Sequence, residues 1–297
     1  MLRNLATMAS SFSRIVRFVP KSDASKVFVG EPVDPKVDVG LALYEGKDVQ
    51  VNRFSGSSIL APGEKTGNVE SIKTVLSPLA QSEADLKINK QYTSHAAEMG
   101  LAIPELPTVF LKPATSLADP WPAPSILPKI TQKDNTGDYE SELAIIIGKT
   151  AKDVSEADAL NYVLGYTAAN DVSSRTSQTN QSQWCFSKGF DSACPLGPVV
   201  ASSSLVPDAA KLRITGARNG TVVQDCPLTD MIFSVSQLVS FLSQGTTLLP
   251  GTVILTGTPP GVGAAKKPPQ FLKAGEEFRV TLDPHVGTLV TRFENEQ

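Results

Sequence analysis

The segment Asp138-Tyr-Glu-Ser-Glu-Leu-Ala-Ile-Ile-Ile-Gly sets two carboxylates, Glu140 and Glu142, at the mouth of an apolar run. Leu143 to Ile147 is apolar and rich in β-branched side chains, which favours a strand. Residues i and i+2 of a strand point the same way, so Glu140 and Glu142 share a face. Like charges on one face of a buried strand are tolerable only in solvent or beside a neutralising cation. A Glu-x-Glu pair by itself is more often the solvated face of an edge strand. A third acid, Asp171, ends a second apolar stretch, Gly165-Tyr-Thr-Ala-Ala-Asn-Asp. If the two strands pair, the carboxylates converge into an all-oxygen site suited to a hard divalent ion.

The chain has two histidines. His285 lies in Asp283-Pro-His-Val-Gly, a turn, and reads as solvated. His95 lies in Tyr92-Thr-Ser-His-Ala-Ala-Glu, where His95 and Glu98 share one helix face. A carboxylate so placed accepts one ring N–H and raises the basicity of the other nitrogen. An ordinary helix-surface pair has the same spacing. Lys188, in Gln183-Trp-Cys-Phe-Ser-Lys-Gly-Phe-Asp, is set among aromatics and suits a developing enolate or a carboxylate, or simply solvent. Arg175, just past Asp171, reads as structural. The run Thr256-Gly-Thr-Pro-Pro-Gly-Val-Gly lacks the Gly-Lys-Ser/Thr of a phosphate loop, and reads as a backbone-lined anion or substrate pocket or as a plain turn.

The elements that must position these groups follow from the pattern. Lys26–Gly30, Val37–Tyr44 and Asp48–Phe54 read as short strands, and Glu70–Leu76 as a short helix. Tyr92–Met99 is helix-like with Gly100 as its C-cap. Residues 104–128 are Pro-rich and irregular. Strands are expected at Glu140–Gly148, Tyr166–Asp171, Thr252–Thr256 and Glu277–Leu282, and helices from Ser155 to about Leu164 and over Val235–Ser243. Asn219-Gly220 is the strongest hairpin signal. The class is β-rich α+β with a large mixed sheet. The expected division is a short transit segment at 1–12, a small β-rich domain at 13–75 and a catalytic domain at 76–297.

Composition narrows the partners. Of 297 residues, 41% are hydrophobic and 19% charged, which is globular, and the net charge of −3 offers no basic field for nucleic acid. No apolar run is long enough to span a bilayer. The odd count of three cysteines, without a C-x-x-C pair, points to a reducing compartment. Met1 to Pro20 carries Arg3, Arg14 and Arg17, several serines and no acid, which is transit-peptide chemistry and suggests a mitochondrial address, with the cytoplasm as the alternative.

Taken together, these segments resemble the fumarylacetoacetate hydrolase family over roughly residues 75–290. The resemblance rests on Asp138–Gly148, on Gly165–Arg175, on Gln183-Trp with Lys188 and Pro195-Leu-Gly-Pro, and on Ile254–Gly263. The N-terminal unit and Lys267-Pro-Pro-Gln-Phe-Leu-Lys look most like the long-form domain-containing protein 2 subgroup. The resemblance implies a mixed β-roll, usually dimeric. It implies a Mg²⁺ or Mn²⁺ site at Glu140, Glu142 and Asp171, with Lys188 stabilising an enolate. His95 and Glu98 would form an acid/base dyad on a mobile lid, and Tyr92, Arg175 and Thr258 would contact substrate. Members act on 2-oxo acids with a second carbonyl: they hydrolyse acylpyruvates, decarboxylate oxaloacetate or interconvert its keto and enol forms, and the last is associated with the long-form subgroup in mitochondria.

The chain departs from the family pattern beside the site. Asn89-Lys-Gln-Tyr92 replaces Gly-x-Asn-Tyr, Ser187 stands where a Gly is usual, and Thr176 stands where an Asp usually follows the arginine. These changes spare the metal triad and bear on substrate identity. Oxaloacetate tautomerisation is the leading expectation, with C–C hydrolysis or decarboxylation as the alternative.

Overall fold

The computed structural model describes residues 12–89, 92–100 and 102–297, the side chains at 88–89 excepted. The expectations for residues 1–11 and for Lys90 and Gln91 lie outside them. The first strands are β1 (Arg14–Pro20), β2 (Phe28–Pro32), β3 (Gln50–Phe54), β4 (Lys65–Leu76), β5 (Asp85–Asn89) and β6 (Val109–Lys112). Then come β7 (Leu117–Ala118), β8 (Pro124–Leu127), β9 (Gly137–Asp138), β10 (Ser141–Ile147), β11 (Val163–Asn170) and β12 (Ser173–Ser174). The last are β13 (Cys194–Ser202), β14 (Arg213–Arg218), β15 (Thr221–Pro227), β16 (Thr252–Leu255), β17 (Glu277–Asp283) and β18 (Gly287–Asn295). The helices are α1 (Val39–Tyr44), α2 (Thr93–Glu98), α3 (Lys129–Asp134), α4 (Arg175–Asn180), α5 (Cys185–Lys188) and α6 (Val235–Ser243).

An eleven-stranded mixed sheet runs β2-β3-β4-β1-β13-β11-β10-β16-β5-β6, with β7 attached to β13. A five-stranded sheet, β15-β14-β17-β18-β8, packs against it to form the β-roll. β10 lies deep in the large sheet, flanked by β11 and β16, and all seven of its residues are buried. Leu143, Ile145 and Ile147 point into one apolar cluster while Ala144 and Ile146 point into another, so the strand is apolar on both faces. The Asn219-Gly220 hairpin between β14 and β15 and the helix over Val235–Ser243 form as expected, the latter with a Ser234/Gln237 capping box.

Several local expectations are corrected. Residues Glu70–Leu76 belong to the long strand β4, where Ile72 and Val75 fill the core and β4 pairs with both β1 and β3. Val39–Tyr44 is helical because the Asp38 side chain accepts the Leu41 N–H as a cap. After Ser155 the chain forms only a 3₁₀ turn, Ala159–Tyr162, before β11 begins at Val163. The Pro-rich stretch 104–128 contributes β6, β7 and β8 to the sheets. The N-terminal strands continue into the large sheet through the β1–β13 pairing. Among the described residues no helix is long and apolar enough to cross a membrane.

Candidate active site

The β10–β11 register pairs Ser141 with Asn170, so Glu140 and Asp171 meet just beyond the ladder, where the Asp171 N–H donates to the Glu140 carbonyl at 2.9 Å. Glu142 lies one pleat further along β10. The carboxylates of Glu140, Glu142 and Asp171 each offer an oxygen within 4.8 Å of the others, and all three residues are buried. The convergence expected from sequence is therefore present, in the interior and not on a solvated face.

Buried carboxylates require partners. Lys188 Nζ donates to Glu140 Oε2 at 2.7 Å and to Asp171 Oδ2 at 2.6 Å. Lys112, fully buried at the end of β6, donates to Asp171 Oδ1 at 2.7 Å and to the Ala193 carbonyl at 2.8 Å. Arg175 Nη1 donates to Glu140 Oε1 at 2.7 Å, and its Nε donates to Asp138 Oδ2 at 2.8 Å. Burial alone would raise the Glu140 carboxyl, but the Lys188 and Arg175 charges hold it at about 2. Glu142 lacks a cation of its own. Its Oε2 accepts the Gly257 N–H at 2.6 Å, and its Oε1 is buried with no partner. Burial first, then the charges of Asp171 and Glu140, push its pKa well above the ordinary carboxylate range. An all-oxygen triad with one orphaned buried oxygen fits a hard divalent cation.

Facing the triad is α2. His95 Nδ1 lies 3.0 Å from Glu98 Oε2, so the predicted dyad forms, and Nδ1–H donation to Glu98 leaves Nε2 as the basic nitrogen. Glu98 also accepts the Gly261 N–H, at 3.0 Å for Oε1 and 3.2 Å for Oε2, which draws the helix onto the glycine-rich loop. Gly261 has φ +110°, and an added Cβ would lie 2.0 Å from the Val223 carbonyl, so only glycine fits there. Burial lowers the His95 pKa, against the raising influence of the Glu140 and Glu98 carboxylates, and the ring is neutral at neutral pH.

A cavity of about 270 Å³ lies between dyad and triad. Its polar lining includes Glu140, Glu142, Arg175, Gln178, Lys188 and Thr258. The lining also includes Met99, Phe110, Trp184 and Val262, with the Phe110 and Trp184 rings edge to face at 5.4 Å and Lys188 Nζ 5.5 Å from the centre of the Phe110 ring. Thr258 Oγ1 accepts from Gln224 Nε2 at 2.7 Å, which leaves its hydroxyl proton for a ligand, and Arg175 Nη2 is likewise buried without a partner. Tyr92 is not in the lining of this cavity: it is 1% exposed, packs in the main core and lines a neighbouring cavity with His95 and Trp184, its hydroxyl buried without a partner. Ser187 is buried, its hydroxyl on the Trp184 carbonyl at 2.9 Å. His285 is exposed in its turn.

Sequence reasoning missed Lys112 and Asp138. The signal for Lys112 is the alternation Val109-Phe-Leu-Lys, which puts a lysine on the same buried face as Phe110. Asp138 accepts the N–H groups of Gly263 and Ala264 at 2.8 and 2.9 Å and also holds Arg175, which ties the glycine loop to the triad.

The family profile described as fumarylacetoacetate (FAA) hydrolase C-terminal matches residues 86–294. The chain is similar to a caffeoylpyruvate hydrolase of Neonothopanus nambi, 41% identical over 99% of this chain and 97% of that protein. It is 40% identical to a mitochondrial oxaloacetate tautomerase of Xenopus laevis over 71% of this chain and 65% of that protein. Among solved structures, a 2-hydroxyhepta-2,4-diene-1,7-dioate isomerase from Mycobacterium marinum superposes with a TM-score of 0.76 at 29% identity, covering 96% of this chain and 99% of that one.

Proposed function

The chain belongs to the fumarylacetoacetate hydrolase family, and from that premise we propose a divalent-metal-dependent enzyme that removes a proton beside the keto group of an enolisable 2-oxo acid. The observation that carries this reading is the unpartnered Glu142 Oε1 within the acidic triad, faced across one cavity by the His95–Glu98 dyad. Glu140, Glu142 and Asp171 would hold Mg²⁺ or Mn²⁺, and the bound ion supplies Lewis acidity toward the substrate's keto oxygen. Arg175 Nη2 and the Thr258 hydroxyl are the free donors for the substrate's carboxylate. Lys188 places its ammonium where negative charge grows on the enolate oxygen. Neutral His95 takes the C3 proton on Nε2, and Glu98 stabilises the resulting imidazolium through Nδ1.

Protonation of the enolate on its oxygen gives the enol and protonation at C3 gives the keto form, which together are keto–enol interconversion. Attack of water on the distal carbonyl breaks its bond to C3; C3 recovers the abstracted proton and takes one more from the water, giving pyruvate, and the water oxygen leaves in the released acid. The sequence favours the first outcome, on oxaloacetate; the cavity supports the second better. The two cations lining it are already engaged, Lys188 with Glu140 and Asp171 and Arg175 with Asp138 and Glu140, and the rest of the lining includes the apolar Met99, Phe110, Trp184 and Val262. A second carboxylate, as in oxaloacetate, would lose hydration in this cavity without a cation of its own, whereas an uncharged acyl group would not. The full-length likeness to a caffeoylpyruvate hydrolase supports the same reading. Tautomerisation is the second reading, since it requires no bound water beyond the dyad and the ion.

One assay separates them, following enol-oxaloacetate absorbance and pyruvate release from an acylpyruvate in parallel. Pyruvate release, lost in EDTA, is expected; enol decay without any acylpyruvate cleavage would establish the tautomerase instead. A mitochondrial address, supported by the acid-free N-terminus and the mitochondrial relatives, is tested by fractionation, and a homodimer by light scattering.

A further inference from the structure

α2 is six residues long, too short to hold itself in water, so its place over the site must be set by ties to the rest of the molecule. Its N-cap residue, Tyr92, makes no side-chain cap. The first-turn N–H groups of such a helix are left without intrahelical acceptors. One of them, the Ser94 N–H, donates instead to Asp230 Oδ2 at 3.1 Å, and the Ser94 hydroxyl donates to the same oxygen. Asp230 thus does from 136 residues away what an N-cap aspartate does locally. The Cys226 thiol also points at Asp230 Oδ2, at 3.7 Å.

The support behind Asp230 is rigid. It ends a 3₁₀ turn, Leu228–Asp230, whose Leu228 is 1% exposed in the main core and whose backbone is tied to the Leu212 carbonyl at 3.0 Å. At the other end of α2 the Glu98–Gly261 bonds make the second tie. His95 lies between these ties and next to Ser94 in sequence.

We propose that Asp230 is a positioning residue: by capping α2 through Ser94 it holds His95 over the acidic triad and sets how much of the time the helix is closed. It touches neither substrate nor ion. The inference rests on the reading of His95 as the base, but its central test does not require turnover. The test is hydrogen exchange of residues 92–100 in the Mg²⁺-loaded full-length protein, with β10 and β11 as internal controls, together with kcat and KM on an acylpyruvate. Asp230→Ala should raise exchange in α2 about five- to thirty-fold, the factor expected for loss of a cap, with β10 and β11 unchanged. kcat should fall by a similar factor while Mg²⁺ affinity holds. Asp230→Asn keeps one acceptor oxygen and should recover most of both losses. Ser94→Ala, which removes only the hydroxyl bond, should fall between. Unchanged exchange in α2 of Asp230→Ala overturns the proposal, as does exchange raised equally in β10 and β11, which would make Asp230 a global stabiliser. A protein that turns over no 2-oxo acid yet shows the α2-specific rise would retain the cap and lose the catalytic reading of His95.

Discussion

Glu142 and Asp171 stand on or beside strands that are hydrogen-bonded on both sides and buried along all or nearly all of their length, whereas His95 stands on a six-residue helix held by a few side-chain bonds at its ends. In the floor of the cavity, backbone pairing places the charges, and a side-chain error of an ångström would need the sheet to shift. In the helix above it, position depends on Ser94–Asp230 and Glu98–Gly261, contacts that break one at a time. The difference matches the chemistry: a cation site needs donors fixed before the ion arrives, and a base that closes over substrate needs to open for entry.

The largest effect should come from the floor. Glu142→Ala, Asp171→Ala and EDTA are each expected to reduce turnover to background, and full activity in chelator would falsify the metal-dependent reading. Next comes the helix. His95→Ala should lower kcat by about 10²–10⁴ with Mg²⁺ affinity, read by calorimetry, nearly unchanged. If the ion binds much more weakly in that variant, the floor and the helix are not independent. Lys112→Met leaves Asp171 with a single cation inside the core, and breaking a buried pair should cost about 3–5 kcal/mol in denaturant unfolding of the metal-free protein. Excess Mg²⁺ should recover part of that loss; a loss untouched by Mg²⁺ would assign Lys112 to packing.

The smallest effect is the pH response of the helix. Burial lowers the His95 pKa below its unfolded value, so the folded protein gains from neutral His95 above about pH 6.5 and loses that gain as pH falls through the lower folded value. The acid limb of the kcat profile should therefore lie below that of a solvent-exposed histidine. In stability measurements the corresponding pH slope should vanish in His95→Asn. An acid limb above pH 7, outside about 6.5 in the wrong direction, would mean that the carboxylates outweigh burial.

The same contrast explains what could be read from sequence. The triad was legible because a strand's period of two fixes which side chains share a face, and Glu140, Glu142 and Asp171 all border runs of buried apolar residues. The dyad was legible because His95 and Glu98 lie three apart on a helix. Lys112 was hidden in a proline-rich stretch that reads as irregular, and its strand exists only because β5 offers a partner across the sheet. Residues 70–76 mislead for a similar reason: their composition suits either helix or strand, and pairing with β1 and β3 decides. Asp230 leaves no local trace at all, since its partner is on the far side of the chain.

Because Asp138 grips both Arg175 and the amides of Gly263 and Ala264, one aspartate joins the loop under the reacting groups to the strand end that carries them. That arrangement lets evolution exchange Met99 or Trp184 for other sizes and polarities while the anchored loop stays still. New substrates can then be recruited on an old chassis by altering its lining, without redesigning the chemistry beneath.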